Sequence, residues 1–392
     1  MRILFLSRWY PYPPIHGSKL RIYHLLRGLA RKHEITLLSF FEESDVPLNT
    51  KALETICREV RVVPWKPFNP GSLRARLGFS SLTPRSVIDT FSPDMQQCIA
   101  QTLSAEDYDM VVASQIYMAV YGQYFQHLPA VFEEVESGWL YEHFAQAQSP
   151  WRRFRHGLTW AKHSRFLATL VKNFKLCTVV SDREYQILSR AVNGYHSIEV
   201  VPNCVELKNY LDIQETPQPN TLIFTGSISF MPNYEAMVWF LRQVYPHVQA
   251  QVPEVKLTIT GAPARRRLPP AKNVTQTGFV NDVRPLIARA WGSLVPIHSG
   301  GGTRLKILEA MALGTPVVAT SKGAEGLDVQ AGQHLLIGDT PESFAREVVR
   351  LLQEPELRGH LVNNAAQLIR EKYDWAVVMP RFLALVEQVA KA

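Results

Sequence analysis

The stretch Leu294 to Val318, LVPIHSGGGTRLKILEAMALGTPVV, reads as an apolar strand, a glycine loop, an amphipathic helix, a turn and a second apolar strand. A buried strand that passes through a helix into another buried strand is the unit of a parallel sheet with a crossover. Gly300, Gly301 and Gly302 leave backbone N–H groups unshielded, and Thr303 stands where it can cap the helix, so this end offers donors and a positive dipole to an anion. Arg304 and Lys306 fall in the first turn, where a cation is disfavoured by a few tenths to ~1 kcal/mol unless an anion is bound beside it. A blander reading pairs Lys306 with Glu309 on a solvated face and leaves the glycines as a tight turn. Neither GxxxxGK[ST] nor GxGxxG spacing is present, so ATP hydrolysis and nicotinamide chemistry lose support.

The same alternation runs outward in both directions. Upstream, strands are expected at Ile3 to Leu6, Ile35 to Ser39, Val60 to Val63, Met110 to Ala113, Ala130 to Phe132, Cys177 to Val180 and Ile198 to Val201, with a helix from Ser18 to about Arg31. A polar, proline-containing segment from Asp212 to Asn220 reads as a linker. Beyond it come strands at Thr221 to Thr225, Val255 to Thr260, Ser293 to Pro296 and Pro316 to Ala319, and a helix from about Thr303 to Leu313. The expected fold class is α/β, with doubly wound domains at 1–203 and 204–372 and a helix over 373–392 that crosses back to the first. Ligands of such sheets bind at the carboxyl ends of the strands, which places the site in a cleft if the two domains face each other.

With 392 residues, 46% hydrophobic and 20% charged, the chain can build two cores and has none of the composition of a disordered protein. Its net charge of +7 is concentrated early, with 23 cations against 18 acids up to Val200 and 19 against 17 beyond. Cys57, Cys98, Cys177 and Cys204 are widely spaced, which favours neither disulfides nor zinc. The opening MRILFLSRWY is too short in apolar residues for a signal peptide, and no window suits a membrane span, so a cytoplasmic setting is the expectation.

Gly226 after the first strand of the second domain, Gly261 after a later one, TGFVND from Thr277 to Asp282 and EAMALGTPVV from Glu309 resemble the donor domain of family-4 retaining glycosyltransferases of the GT-B fold. The amino-terminal IHGSKLRIYHLLRGLARKHEITLLS and the hinge VVPNCVE are similar to the same family, and GGGTRLKILEAMA with Pro232-Asn233 is similar to an exopolysaccharide-associated subgroup. The resemblance implies transfer of a hexosyl group, with retention, from a nucleotide diphosphate sugar to a glycan or lipid-linked acceptor in polysaccharide or glycolipid assembly. It implies that the helix near Thr303 receives the diphosphate, that Lys306 with Arg304 neutralises it, that Glu309 holds the ribose and that the backbone at Phe279 and Val280 holds the base. It brings the turn at Gly17 and Ser18, ahead of Arg21, to the sugar and phosphate, and Glu136, rather than Glu133 or Glu134, to the sugar. A phosphate oxygen can take the acceptor's proton, so no catalytic base is named, and neither metal nor cofactor is expected.

Two departures stand out. Many relatives carry a glutamate where this chain has Gly301, and a basic pair after the first strand of the donor domain where this chain has SISFMPNYEA. Arg265, Arg266 and Arg267 are candidate substitutes for that pair. The missing glutamate keeps a noncatalytic sugar-nucleotide-binding subunit in view, and the fold shape keeps a nucleotide-sugar epimerase. Asp107-Tyr108-Asp109 has the form of a metal motif but reads as a surface turn before a strand. From Trp151 to Lys175, seven cations and no acid mix with Trp151, Phe154, Trp160 and Phe166. Peripheral contact with an anionic membrane fits this stretch, as does an ordinary helix with solvated cations. Nucleic acid is disfavoured, because no recognised binding module accompanies the charge.

Overall fold

The computed structural model describes all residues except 44–47, 264–265, 301–303 and 392. The chain divides into two compact units, Met1–Pro202 with Met379–Ala392, and Asn203–Val378. The division falls inside the last helix, Trp375–Lys391, and not at residue 373, and the first unit closes at Pro202.

The first unit is built on seven parallel strands: β1 (Arg2–Ser7), β2 (Glu34–Phe41), β3 (Glu59–Pro64), β4 (Met110–Ser114), β5 (Ala130–Glu133), β6 (Leu176–Val179) and β7 (Ile198–Val200). Their order is β3-β2-β1-β4-β5-β6-β7. Ile3, Leu4, Phe5 and Leu6 are all fully buried, which is why β1 is a continuous apolar run and not an alternating one: both faces of a parallel sheet are covered. The end of the last helix belongs here. Met379 lies over Gly28, where a Cβ would come within 2.0 Å of its sulfur, and Arg381 reaches Glu199 at 2.8 Å.

The second unit has six parallel strands: β8 (Gln218–Thr225), β9 (Lys256–Thr260), β10 (Val274–Gly278), β11 (Ala290–Val295), β12 (Val317–Ala319) and β13 (Leu336–Ile337), in the order β10-β9-β8-β11-β12-β13. The two edge strands were not expected from the sequence. VTQTG of β10 is polar and mostly exposed, and β13 is two residues long, so neither carries an apolar run to read.

The turns after β8 and β9 lie directly against each other. Gly226 donates its N–H to the carbonyl of Thr260 at 3.0 Å, and Ile228 donates to Ala262 at 2.9 Å. Gly226 and Gly261 both hold φ near +135°, and a Cβ on Gly261 would come within 2.3 Å of the Gly226 carbonyl oxygen. Only glycine combines that backbone with that closeness. Gly261→Ala is expected to destabilise the protein by about 2 kcal/mol or more. Gly314→Ala is the milder comparison, since its φ of +68° lies in the left-handed region that alanine can reach at a cost, and it meets only the Val362 side chain at 3.6 Å. Melting temperatures of the two variants should separate clearly, with Gly261→Ala the lower; equal losses would overturn the requirement for glycine at 261.

Candidate active site

The order of the second sheet turns between β8 and β11, and in open α/β sheets that point, at the carboxyl ends of the strands, is where ligands bind. β8 ends there at Gly226, and β11 leads to the helix Leu305–Ala312. Lys306, in the first turn of this helix, lies at the switch point. Its Nζ donates to Asn233 Oδ1 at 3.1 Å and sits 4.3 Å from the Phe224 ring centroid. Asn233 is buried, and its Nδ2 donates to the Ser227 carbonyl at 2.9 Å, so it ties the glycine turn to the ammonium. A Cβ on Gly226 would approach Lys306 Nζ to 2.9 Å, so this glycine also makes room for the cation.

Burial pushes the Lys306 ammonium down to about 7, with Arg304 adding to the effect and Glu309 opposing it. Arg304 donates from Nη2 to the Gly300 carbonyl at 2.7 Å. Glu309 lies one turn further along the helix and accepts from the Tyr210 hydroxyl at 3.4 Å. Burial raises its carboxyl, while Tyr210 and Lys306 hold it down.

The helix begins later than expected. Arg304 occupies the cap position, with φ −82° and ψ 83°, and Leu305 is the first helical residue. Gly301, Gly302 and Thr303 lie outside the described residues, as does Arg265, while Gly300 takes a positive φ of 94°. Gly226, Gly300, Arg304, Lys306 and Glu309 gather at the one switch point. Phe279 follows β10 with its ring 68% exposed, and Val280 beside it is partly buried. The segment after them is pinned by Arg284, which pairs with Asp282 at 2.8 Å and donates to the Asn209 carbonyl at 2.6 Å. Arg266 and Arg267 are exposed.

Asn233 and Tyr210 were missed as site residues. Pro232-Asn233 was legible as a motif, but the reach of Asn233 to Lys306 spans 73 positions and has no local signal. Tyr210 stands in a short helix, Lys208–Leu211, with nothing in its neighbourhood to announce a partner at position 309.

Gly17, Ser18 and Glu136 belong to the first unit. Its strand order turns between β1 and β4, and the helix Gly17–Leu29 follows β1. His16 holds the cap position, so Ser18 lies inside the first turn and is not the cap. Arg21 is fully buried, donating from Nε to Glu133 Oε1 at 2.7 Å and from Nη1 to the Pro202 carbonyl at 3.2 Å. Ser114 donates to the other oxygen of Glu133 at 2.7 Å.

Simple alternation fails along Glu133-Glu134-Val135-Glu136, because β5 ends at Glu133 and Glu134 takes φ +56°. Both Glu133 and Glu134 are buried, and Glu136 is exposed. Glu134 accepts from Gln115 Nε2 at 2.9 Å, and Gln115 also has a positive φ, 66°. Non-glycine residues held in that region are strained, and such strain clusters at functional sites. Burial and the neighbouring Glu133 raise the Glu134 carboxyl against the pull of Arg21. Glu134 therefore joins Glu136 as a candidate carboxylate on this strand end. In the Asp107-Tyr108-Asp109 triplet, Asp109 Oδ2 accepts from the Arg2 backbone N–H at 2.7 Å and Tyr108 donates to Thr36 Oγ1 at 3.1 Å, bonds that tie β4 to β1 and β2.

Residues 219–354 match the family described as glycosyl transferases group 1. That span lies in the second unit and contains Gly226, Asn233, Phe279, Lys306 and Glu309. An uncharacterized 44.6 kDa protein in the cps region of Klebsiella pneumoniae is 30% identical over 165 residues, 39% of this chain and 42% of the relative. An uncharacterized glycosyltransferase of Methanocaldococcus jannaschii is 24% identical over 235 residues, 57% of each chain. The chain thus spans about half the length of these relatives. The structure is similar to that of Anabaena HepE in complex with UDP and glucose, with a TM-score of 0.69 and 15% identity over 99% of this chain and 100% of the other. The fold is GT-B: two Rossmann-like units with parallel sheets.

A lysine held near 7 should bind a diphosphate with a marked pH dependence. The anion favours the charged amine, so in the free protein Lys306 must take up a proton as it binds above about 7. Affinity for a nucleoside diphosphate is expected to fall by up to about tenfold per pH unit above that point. Calorimetry in buffers of different ionisation enthalpy should register the proton uptake, and Lys306→Met should abolish both effects.

Proposed function

We propose that the protein is a retaining glycosyltransferase that moves a hexosyl group from a nucleotide diphosphate sugar to a glycan or lipid-linked acceptor in polysaccharide or glycolipid assembly, without a metal ion. The observation that carries this reading is the Lys306 ammonium, fixed by Asn233 in the space left by Gly226 at the switch point of the group 1 span. Before reaction the cation sits in surroundings that disfavour its charge. As the bond from the anomeric carbon to the diphosphate oxygen breaks, negative charge grows on that oxygen, and a fixed cation stabilises it more than it stabilises the bound donor.

The acceptor hydroxyl oxygen bonds to the anomeric carbon on the face the diphosphate leaves, and its proton passes to a diphosphate oxygen. Bonds, charge and proton then balance without a base from the chain. In this reading Glu309, bonded to Tyr210, accepts hydrogen bonds from the ribose hydroxyls, and the exposed Phe279 offers a flat face to the base. The relative from a cps region supports a polysaccharide role, and the UDP and glucose of the Anabaena structure support a nucleotide-sugar donor.

Lys306→Ala is expected to lower kcat/KM by about 10²-fold, equivalent to ~2.7 kcal/mol of transition-state stabilisation. Glu309→Gln should act mainly on the KM for the donor, because its contacts do not change as the bond breaks. Transfer from a panel of nucleotide sugars, followed with radiolabelled donor, measures both. Unchanged turnover in a folded Lys306→Ala protein would remove the assignment.

A further inference from the structure

Among the described residues of the first unit, exposed large apolar side chains gather three or more together on two segments. On the helix Pro150–Leu170, Trp151, Phe154 and Leu158 are 72, 59 and 58% exposed, and their spacing puts them on one stripe. Lys162 continues that stripe one turn on, and its Nζ donates to the Gly78 carbonyl at 2.7 Å. Gly78 ends the short helix Leu73–Leu77, and around it Leu73, Leu77, Phe79 and Leu82 are 64 to 71% exposed. The Lys162 hydrogen bond therefore joins two apolar patches that are some 80 positions apart in the chain into one surface.

The charge carried by these two segments has a single sign, and Asp89, which accepts from Ser72, is fully buried. No Asp or Glu occurs from Trp65 to Ile88, or from His143 to Ser181. Arg74, Arg76, Arg152, Arg153 and Arg155 are exposed beside the apolar residues. Arg85 stacks on Phe79, 3.7 Å from its ring centroid. A shallow apolar groove of about 450 Å³ runs along the basic helix between Phe144, Phe154 and Leu158, with Arg153 at its margin. Apolar side chains ringed by arginine, with no acid between them, match a layer of acyl chains under anionic headgroups. A second copy of this chain fits poorly, since it would set arginine against arginine.

We propose that these two segments together form a docking surface for an anionic lipid bilayer, with Leu77 and Phe79 entering the interface alongside Trp151 and Phe154. The Trp151 to Lys175 stretch is thus one half of the surface, and the Leu73 to Leu82 segment, which has no basic aromatic signature of its own, is the other. The inference concerns the first unit and does not rest on the transferase reading.

The test is co-sedimentation of the full chain with phosphatidylcholine vesicles, with and without phosphatidylglycerol. Binding is expected only where phosphatidylglycerol is present. The triple variant Arg152→Gln, Arg153→Gln, Arg155→Gln should weaken it by about a hundredfold. Leu77→Ser with Phe79→Ser should weaken it by about tenfold or more, and so should Trp151→Ser with Phe154→Ser. All these side chains are exposed, so the melting temperature and nucleoside diphosphate binding should stay at their starting values. Equal partition to both kinds of vesicle, or an unchanged affinity in the Leu77 and Phe79 variant, would overturn the proposal. So would loss of a self-associated species in those variants without any lipid binding.

Discussion

The second unit depends on a close approach of two backbone turns. Where β8 and β9 end, Gly226 and Gly261 nearly touch, and the missing side chain at Gly226 leaves room beside the turn. The Lys306 ammonium occupies that space against the Phe224 ring and the Asn233 amide. A cation in so enclosed a place is poorly solvated, and the few polar contacts it has do not make up the difference. The sheet, the glycines and the asparagine thus hold the amine where its charge is disfavoured, which is the property the proposed diphosphate site rests on.

The first unit follows a different economy. Arg21, the most buried of its cations among the described residues, meets a carboxylate in Glu133 and a carbonyl in Pro202. Ser114 satisfies the second oxygen of Glu133, so the pair is knitted to β4 as well. That network fixes the first helix to the end of β5, and beside it burial raises the Glu134 carboxyl. Strain at Gln115 and Glu134 is carried on the same two strand ends.

Much of this was legible in the chain. Continuous apolar runs such as ILFL at Ile3 and LVPI at Leu294 announce strands covered on both faces, and the helices between them announce parallel pairing. Edge strands were not legible, because β10 exposes Thr275, Gln276 and Thr277 and resembles a loop. At the site, Lys306 and Glu309 were marked by their place after the glycines, but their anchors Asn233 and Tyr210 come from remote segments that only the folded chain brings near. The glutamate cluster has two adjacent buried members for a local reason. Period-two reasoning holds within a strand and lapses at its end, where the left-handed backbone of Glu134 turns a second carboxylate inward.

The last helix adds a constraint on biosynthesis. Residues 379–392 complete the first unit, although they are made after the whole of the second. Until they emerge from the ribosome, the surface at Gly28 that Met379 covers stays bare, and His33 lacks Glu387. The unit translated first is therefore the one finished last, and a nascent chain would hold an incomplete amino-terminal lobe in need of shielding while its neighbour folds.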